Sequence, residues 1–84
     1  IDVPVLHKQG ICGQGVLICM LDDGFNLLNH HITFDSLKVR ATWDFIHNDE
    51  RVDDSEFDAT EGWHGTMTLS SIGGYTPGEL IGTA

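Results

Sequence analysis

Basic residues are scarce in this chain: four lysines and arginines face thirteen acids, for a formal charge of -9 at neutral pH. Such a field repels phosphate backbones and anionic headgroups, which argues against nucleic acid and membrane surfaces as partners. Cysteine is equally sparse. Cys12 and Cys19 are the two present, and extended chain would hold them roughly 20 Å apart, beyond disulfide reach. Cys19 lies inside an apolar run and reads as a small buried residue. No apolar stretch approaches the roughly 20 residues of a membrane span. The N-terminus lacks a basic region followed by an apolar core and cleavage site, so no signal peptide is visible in this chain.

What is present is ordinary globular material, 84 residues that are 40% hydrophobic and 20% charged. That length allows one small domain at most, marginal without a staple or a partner. Residues 3–10 read as one or two helical turns, with Asp2 at the N-cap, Pro4 in the first turn and Gly10 as a left-handed stop. Val16, Leu17, Ile18, Cys19, Met20 and Leu21 form a continuous apolar run of strand length. A strand without polar alternation is buried on both faces, which favours a parallel sheet covered by helices. Leu37, Val39, Ala41, Trp43 and Phe45 alternate with polar residues and predict a second strand with one wetter face. Residues 48–58 form an acidic loop. The period of residues 65–72 fits strand or helix, Gly73 and Gly74 end that segment, and Thr76, Pro77 and Gly78 make a turn.

In open α/β sheets functional groups collect at the carboxyl ends of strands. Asp22 stands there, directly after Leu21, and Gly24 lets the backbone turn sharply. Taken alone, an Asp-Asp-Gly sequence is a turn leaving a strand. His64 alters that reading, because Gly65 and Thr66 behind it permit close backbone approach and a tight helix start. A strand-end carboxylate can then reach the imidazole, which makes two-thirds of a charge-assisted nucleophile site. None of Ser36, Ser55, Ser70 and Ser71 has a nucleophile's setting.

Residues 13–25, with Asp22, Asp23 and Gly24, resemble the strand of the subtilisin-like serine proteases (subtilases) that delivers the catalytic Asp in a D-x-G motif. His31, Ile32, Thr33 and Phe34 sit where that family has His-Pro and an aromatic or aliphatic residue. His64, Gly65, Thr66 and Met67 resemble its H-G-T-H/M motif, and Gly82, Thr83 and Ala84 resemble the start of its G-[VT]-A-P strand. The ordered set covers essentially the whole chain. It implies a three-layer α/β/α fold with a mainly parallel sheet, of which residues 1–84 are an amino-terminal, partial domain. It also implies a serine endopeptidase in which Asp22 orients His64 and His64 serves as general base and then acid. The family's nucleophile belongs to a later G-T-S-[MA]-A motif that this sequence does not contain, so the chain by itself is expected to be inactive.

The implied partners are protein or peptide substrates and the remainder of the peptidase domain, in an extracellular or periplasmic setting. No cofactor is needed for the chemistry. The resemblance leaves room for a structural calcium, and the acidic loop supplies oxygens, but its spacing departs from an EF-hand and reads as a solvated loop. His30 and His31 diverge in direction and read as loop residues. Two departures stand out. Asp23 replaces the usual Ser, Thr or Ala, and if ionised it raises the pKa of His64; Ile32 replaces Pro and loosens a loop. Neighbouring strand residues point to opposite faces, so Asp22 and Asp23 do not both address His64. Two alternatives remain open on sequence grounds. A dimeric aspartic protease would use the Asp22 to Gly24 motif but wants a hydroxyl at position 23 and leaves His64 idle. A non-catalytic, protease-like binding module would keep both residues without turnover.

Overall fold

The computed structural model describes residues 2–53 and 62–84. Helix α1, Val3–Lys8, carries Pro4 in its first turn and is followed by Gly10 at φ 78°. The fixed φ of Pro suits a helix start and the left-handed glycine ends it, as the sequence predicts. A 3-10 turn, Ile32–Phe34, is capped by His31, whose Nδ1 accepts from the Thr33 amide at 3.2 Å. Helix α2, Trp63–Gly73, follows, and strands β1, Tyr75–Thr76, and β2, Leu80–Ile81, close a small antiparallel hairpin with Tyr75 opposite Ile81. The ambiguous segment after His64 is therefore helical.

The chain beyond β2 runs back along the end of α2. Thr83 and Ala84 donate to the carbonyls of Ser71 and Ile72 at 3.1 and 2.8 Å, satisfying acceptors that a helix end leaves open. The best-buried hydrophobic side chain is Phe34, 4% exposed, beside buried Thr33 and Thr66. A hydroxyl pair, Thr33 with Thr76 at 2.7 Å, ties the 3-10 turn to β1.

Two strand expectations are corrected. Residues 16–21 join no ladder, and Val16, Leu17, Ile18 and Leu21 are 49–81% exposed. Cys19, expected in the core, is an exposed free thiol, as is Cys12. The alternating stretch from Leu37 to Phe45 likewise forms no strand; one isolated bridge, Asp44 with Asp49, marks a tight loop there. In that loop Asp44 accepts from the Ile46 and His47 amides and pairs with the His47 ring at 2.8 Å. The physical reason is shared. A strand exists only through its neighbours' N–H and C=O groups, and no neighbour flanks either run among the described residues. The only sheet described is two-stranded and antiparallel.

The whole chain exposes 6424 Å², against about 4,900 Å² for a compact monomer of its mass. Its core is correspondingly thin. Truncation of Phe34 to Ala is expected to cost about 3 kcal/mol, the usual range for an emptied aromatic site, read as a lowered urea midpoint at unchanged m-value. A midpoint within experimental error of the parent would show that Phe34 is not the packing centre.

Candidate active site

Asp22, Asp23 and Gly24 form the turn that faces the first turn of α2. Gly24 adopts φ 131°, and a Cβ there would lie 3.1 Å from the Gly62 Cα and 3.4 Å from the Val52 carbonyl oxygen. Three segments thus converge on one residue without a side chain, and the Phe25 amide secures the turn by donating to the Val52 carbonyl at 2.6 Å. Gly65 serves the opposite wall. A Cβ on it would overlap the Gly24 carbonyl oxygen and approach the Asp22 Cβ to 3.0 Å. The glycine of the His-Gly-Thr sequence is therefore what lets the helix come close enough for the imidazole to meet the carboxylate.

The His64 Nδ1 lies 2.7 Å from the Asp22 Oδ1, across 42 residues of sequence. An ionised carboxylate only accepts, so the bond places the proton on Nδ1 and leaves Nε2 of the neutral ring with a free lone pair. The Asp22 side chain is 13% exposed, while that of His64 is 67% exposed. The carboxylate is sheltered and the ring stands open. Asp22 takes two further donors, the Asp23 amide at 2.9 Å on Oδ1 and the Thr68 hydroxyl at 3.1 Å on Oδ2.

Asp23 sits beside Asp22 in the same bend, and its carboxylate also faces His64. The opposite facing expected of neighbouring strand residues does not hold in a segment that is no strand. The Asp23 Oδ1 accepts from the Gly65 amide at 3.0 Å. This is a helix cap supplied from outside the helix, since α2 has no side-chain cap of its own at Gly62. A carboxylate there also meets the positive end of the helix dipole. Sequence reasoning missed this role for Asp23, and it missed Thr68 altogether. For Thr68 a signal existed: on a helix it falls four residues after His64, on the same face.

The electrostatics follow from these contacts. The hydrogen bond from His64, with help from the Asp23 amide and Thr68, lowers the Asp22 carboxyl from 3.8 to about 2. Asp22, by hydrogen bond and by charge, raises His64 above its usual 6.5, and Asp23 adds a smaller Coulombic push in the same direction. The signs fix a pH window. The depressed Asp22 contributes stability above 3.8 that is lost as pH falls towards about 2. The raised His64 contributes below 6.5 and loses its share as pH climbs through its own, higher value. The pair is at full strength between those limits.

Asp22, Asp23 and His64 also place one possible ligand atom each within 4.8 Å of one another. Each already spends an atom on the contacts above. His30 is engaged elsewhere, its Nε2 2.6 Å from Asp53, and with His31 capping the 3-10 turn both have loop roles. In the acidic loop, Asp49 accepts from the Arg51 amide at 2.8 Å; Asp54, Glu56 and Asp58 lie outside the described residues. Ser70 and Ser71 donate to the Met67 carbonyl at 2.7 and 3.0 Å, spending their hydroxyls on the helix. Ser55 lies outside the described residues.

A partly sheltered carboxylate thus holds the Nδ1 of an open imidazole at a helix start. The family model of the subtilases (Peptidase S8) matches residues 13–83, and the chain belongs to the subtilase family. No match is found among curated proteins or among solved structures.

Removing the carboxylate charge tests the contact. In Asp22→Asn the His64 titration, followed by NMR of the ring protons, is expected to fall back towards 6.5. Gly65→Ala should do the same, because the added Cβ pushes α2 off the turn. A His64 titration unmoved by both changes would mean that the pair does not form in solution.

Proposed function

We propose that this chain supplies the Asp and His of a Ser-His-Asp triad in a serine endopeptidase, with Asp22 as the orienting carboxylate and His64 as the proton carrier. The observation that carries the reading is the 2.7 Å bond from His64 Nδ1 to Asp22 Oδ1, with the ring open to solvent. His64 Nε2 would take the proton from a serine as that oxygen attacks the scissile carbonyl, and return it to the leaving amine as the acyl-enzyme forms. Asp22 keeps the reactive tautomer and steadies the imidazolium between those steps. The serine would come from a G-T-S-[MA]-A helix start elsewhere in the peptidase domain.

The uncovered apolar surface supports the corresponding architecture. The chain exposes roughly 1,500 Å² more than a compact monomer of its mass, an area on the scale of a standard protein interface. An open apolar groove of about 520 Å³ lies between Val16, Ile18, Leu37, Leu69, Ile72 and Ile81. Further strands beside residues 16–21 would fill it and complete a mainly parallel sheet between two helical layers, with residues 1–84 as its amino-terminal part. Polypeptides are the proposed substrates, an extracellular or periplasmic location accompanies the reading, and a structural calcium at the acidic loop is its optional companion.

The test is proteolysis of an unstructured protein substrate by the complete peptidase domain. Asp22→Asn is expected to lower kcat by about 10⁴ and His64→Ala by about 10⁶, each with little change in KM, the scales of losing the tautomer and the base. Full activity in either variant overturns the triad. A fluorophosphonate should label the complete domain and leave the 84-residue chain unlabelled; labelling of this chain would place a nucleophile among its own four serines.

Asp23 supplies a separate pH prediction. The base works in its neutral form, so a raised His64 pKa moves the acid limb of the activity profile upwards. Asp23→Ser is expected to shift that limb to lower pH, by less than Asp22→Asn shifts the His64 titration, and an unmoved limb would remove Asp23 from the electrostatics of the site.

A further inference from the structure

We infer that Thr68 is a positioning residue of the Asp22–His64 pair, acting by donating its hydroxyl proton to the second oxygen of the Asp22 carboxylate. The inference deepens the triad reading and rests on it for its catalytic consequence. Its structural content stands apart from that reading.

The geometry begins with one proton and three acceptors. The Thr68 Oγ1 lies 3.1 Å from Asp22 Oδ2, 3.1 Å from the His64 carbonyl and 3.0 Å from the Gly65 carbonyl. A hydroxyl donates once. Bonding back to a preceding helix carbonyl is the ordinary fate of a helical threonine, and it contributes little to stability. The carboxylate differs in being charged, and charge-assisted bonds are roughly twice as strong as neutral ones. With Asp22 ionised, the proton goes to Oδ2, and the two helix carbonyls face the hydroxyl oxygen only as a cradle that fixes its place. Were Asp22 protonated, the hydroxyl would turn back to the helix.

The consequence is rotational. His64 and the Asp23 amide both address Oδ1, so on their own they restrain the carboxylate through one oxygen and leave the other without a partner from α2. Thr68 holds the opposite oxygen, which fixes the carboxylate plane and therefore the direction from which Oδ1 meets the imidazole. Because Thr68 and His64 are one turn apart on α2, a single rigid helix presents both the ring and the donor that aims the ring's partner. Alignment is built in before any substrate arrives.

The charged groups facing the His64 ring are Asp22 and Asp23, and Thr68 leaves both in place. Substitution of Thr68 by Val keeps the shape and removes the donor; Ser keeps the donor. The first readout is the His64 ring titration and its Nδ1 proton resonance in the 84-residue chain and in the complete domain. Thr68→Val is expected to lower the His64 pKa and broaden the Nδ1 proton signal, with Thr68→Ser restoring both. In the complete domain Thr68→Val should reduce kcat about tenfold with KM unchanged, the scale of losing one bond to a charged group. In an Asp22→Asn background the effect of Thr68→Val on the titration should vanish. Persistence of that effect, or a wild-type titration in Thr68→Val, overturns the inference. If Thr68→Val fails to fold, Thr68→Ser decides: wild-type titration and kcat support the hydroxyl's role, and loss of both overturns it. A domain that cleaves no peptide yet shows the titration effects would sink the triad and leave the positioning role standing.

Discussion

Everything distinctive about this chain depends on the close approach of one turn to one helix end. Asp22, Asp23 and Gly24 meet the first turn of α2 with no side chain intervening at Gly24 or Gly65, and three hydrogen bonds cross the gap. Two of them end on Asp22 and one on Asp23. The contact joins residues more than forty apart in sequence, so its loop-closure cost is met at a single place, and it falls on groups whose charges favour the meeting.

The two aspartates divide the work. Adjacent in sequence and both facing the start of α2, they act on the same helix turn through different partners: one on the ring of His64, the other on the backbone of Gly65. Asp23 is consequently more than a neighbouring charge. By capping α2 it fixes the helix start that carries the histidine, so its electrostatic and structural effects share one sign. A hydroxyl at that position could cap as well, but it would add no charge and leave His64 less basic.

The site was more legible in the sequence than the fold around it, and the reason is physical. Gly24 and Gly65 are demanded by local contacts, and His64 sits at a helix start that Gly62, Gly65 and Thr66 specify nearby. Such features are encoded within a few residues. The run from Val16 to Leu21 is different. Its apolar character reads as strand material, yet it forms no strand here, because strand formation and burial need ladder partners and covering helices, which no residue within the run can provide. The alternating stretch around Val39 and Trp43 fails for the same reason. Thr68 was hidden differently: its partner lies 46 residues away, and only the pairing of turn and helix reveals why a threonine stands there.

The pH behaviour of the pair separates two demands that the same contact must meet. As a structural bond it is strongest where Asp22 is ionised and His64 protonated, between 3.8 and 6.5. In the proposed triad His64 accepts a proton and so must be neutral, a form that predominates above its raised pKa. The pair therefore attracts most strongly in the form that could not begin the proposed reaction. Above the raised His64 pKa the pair keeps its hydrogen bond and gives up the charge attraction, so the fold must hold the turn and helix by other means. The Gly65 amide on Asp23 and the Thr68 hydroxyl on Asp22 do not depend on the charge of His64. They keep the geometry in place once the imidazole is neutral, and this is why the two neighbours of the pair matter as much as the pair.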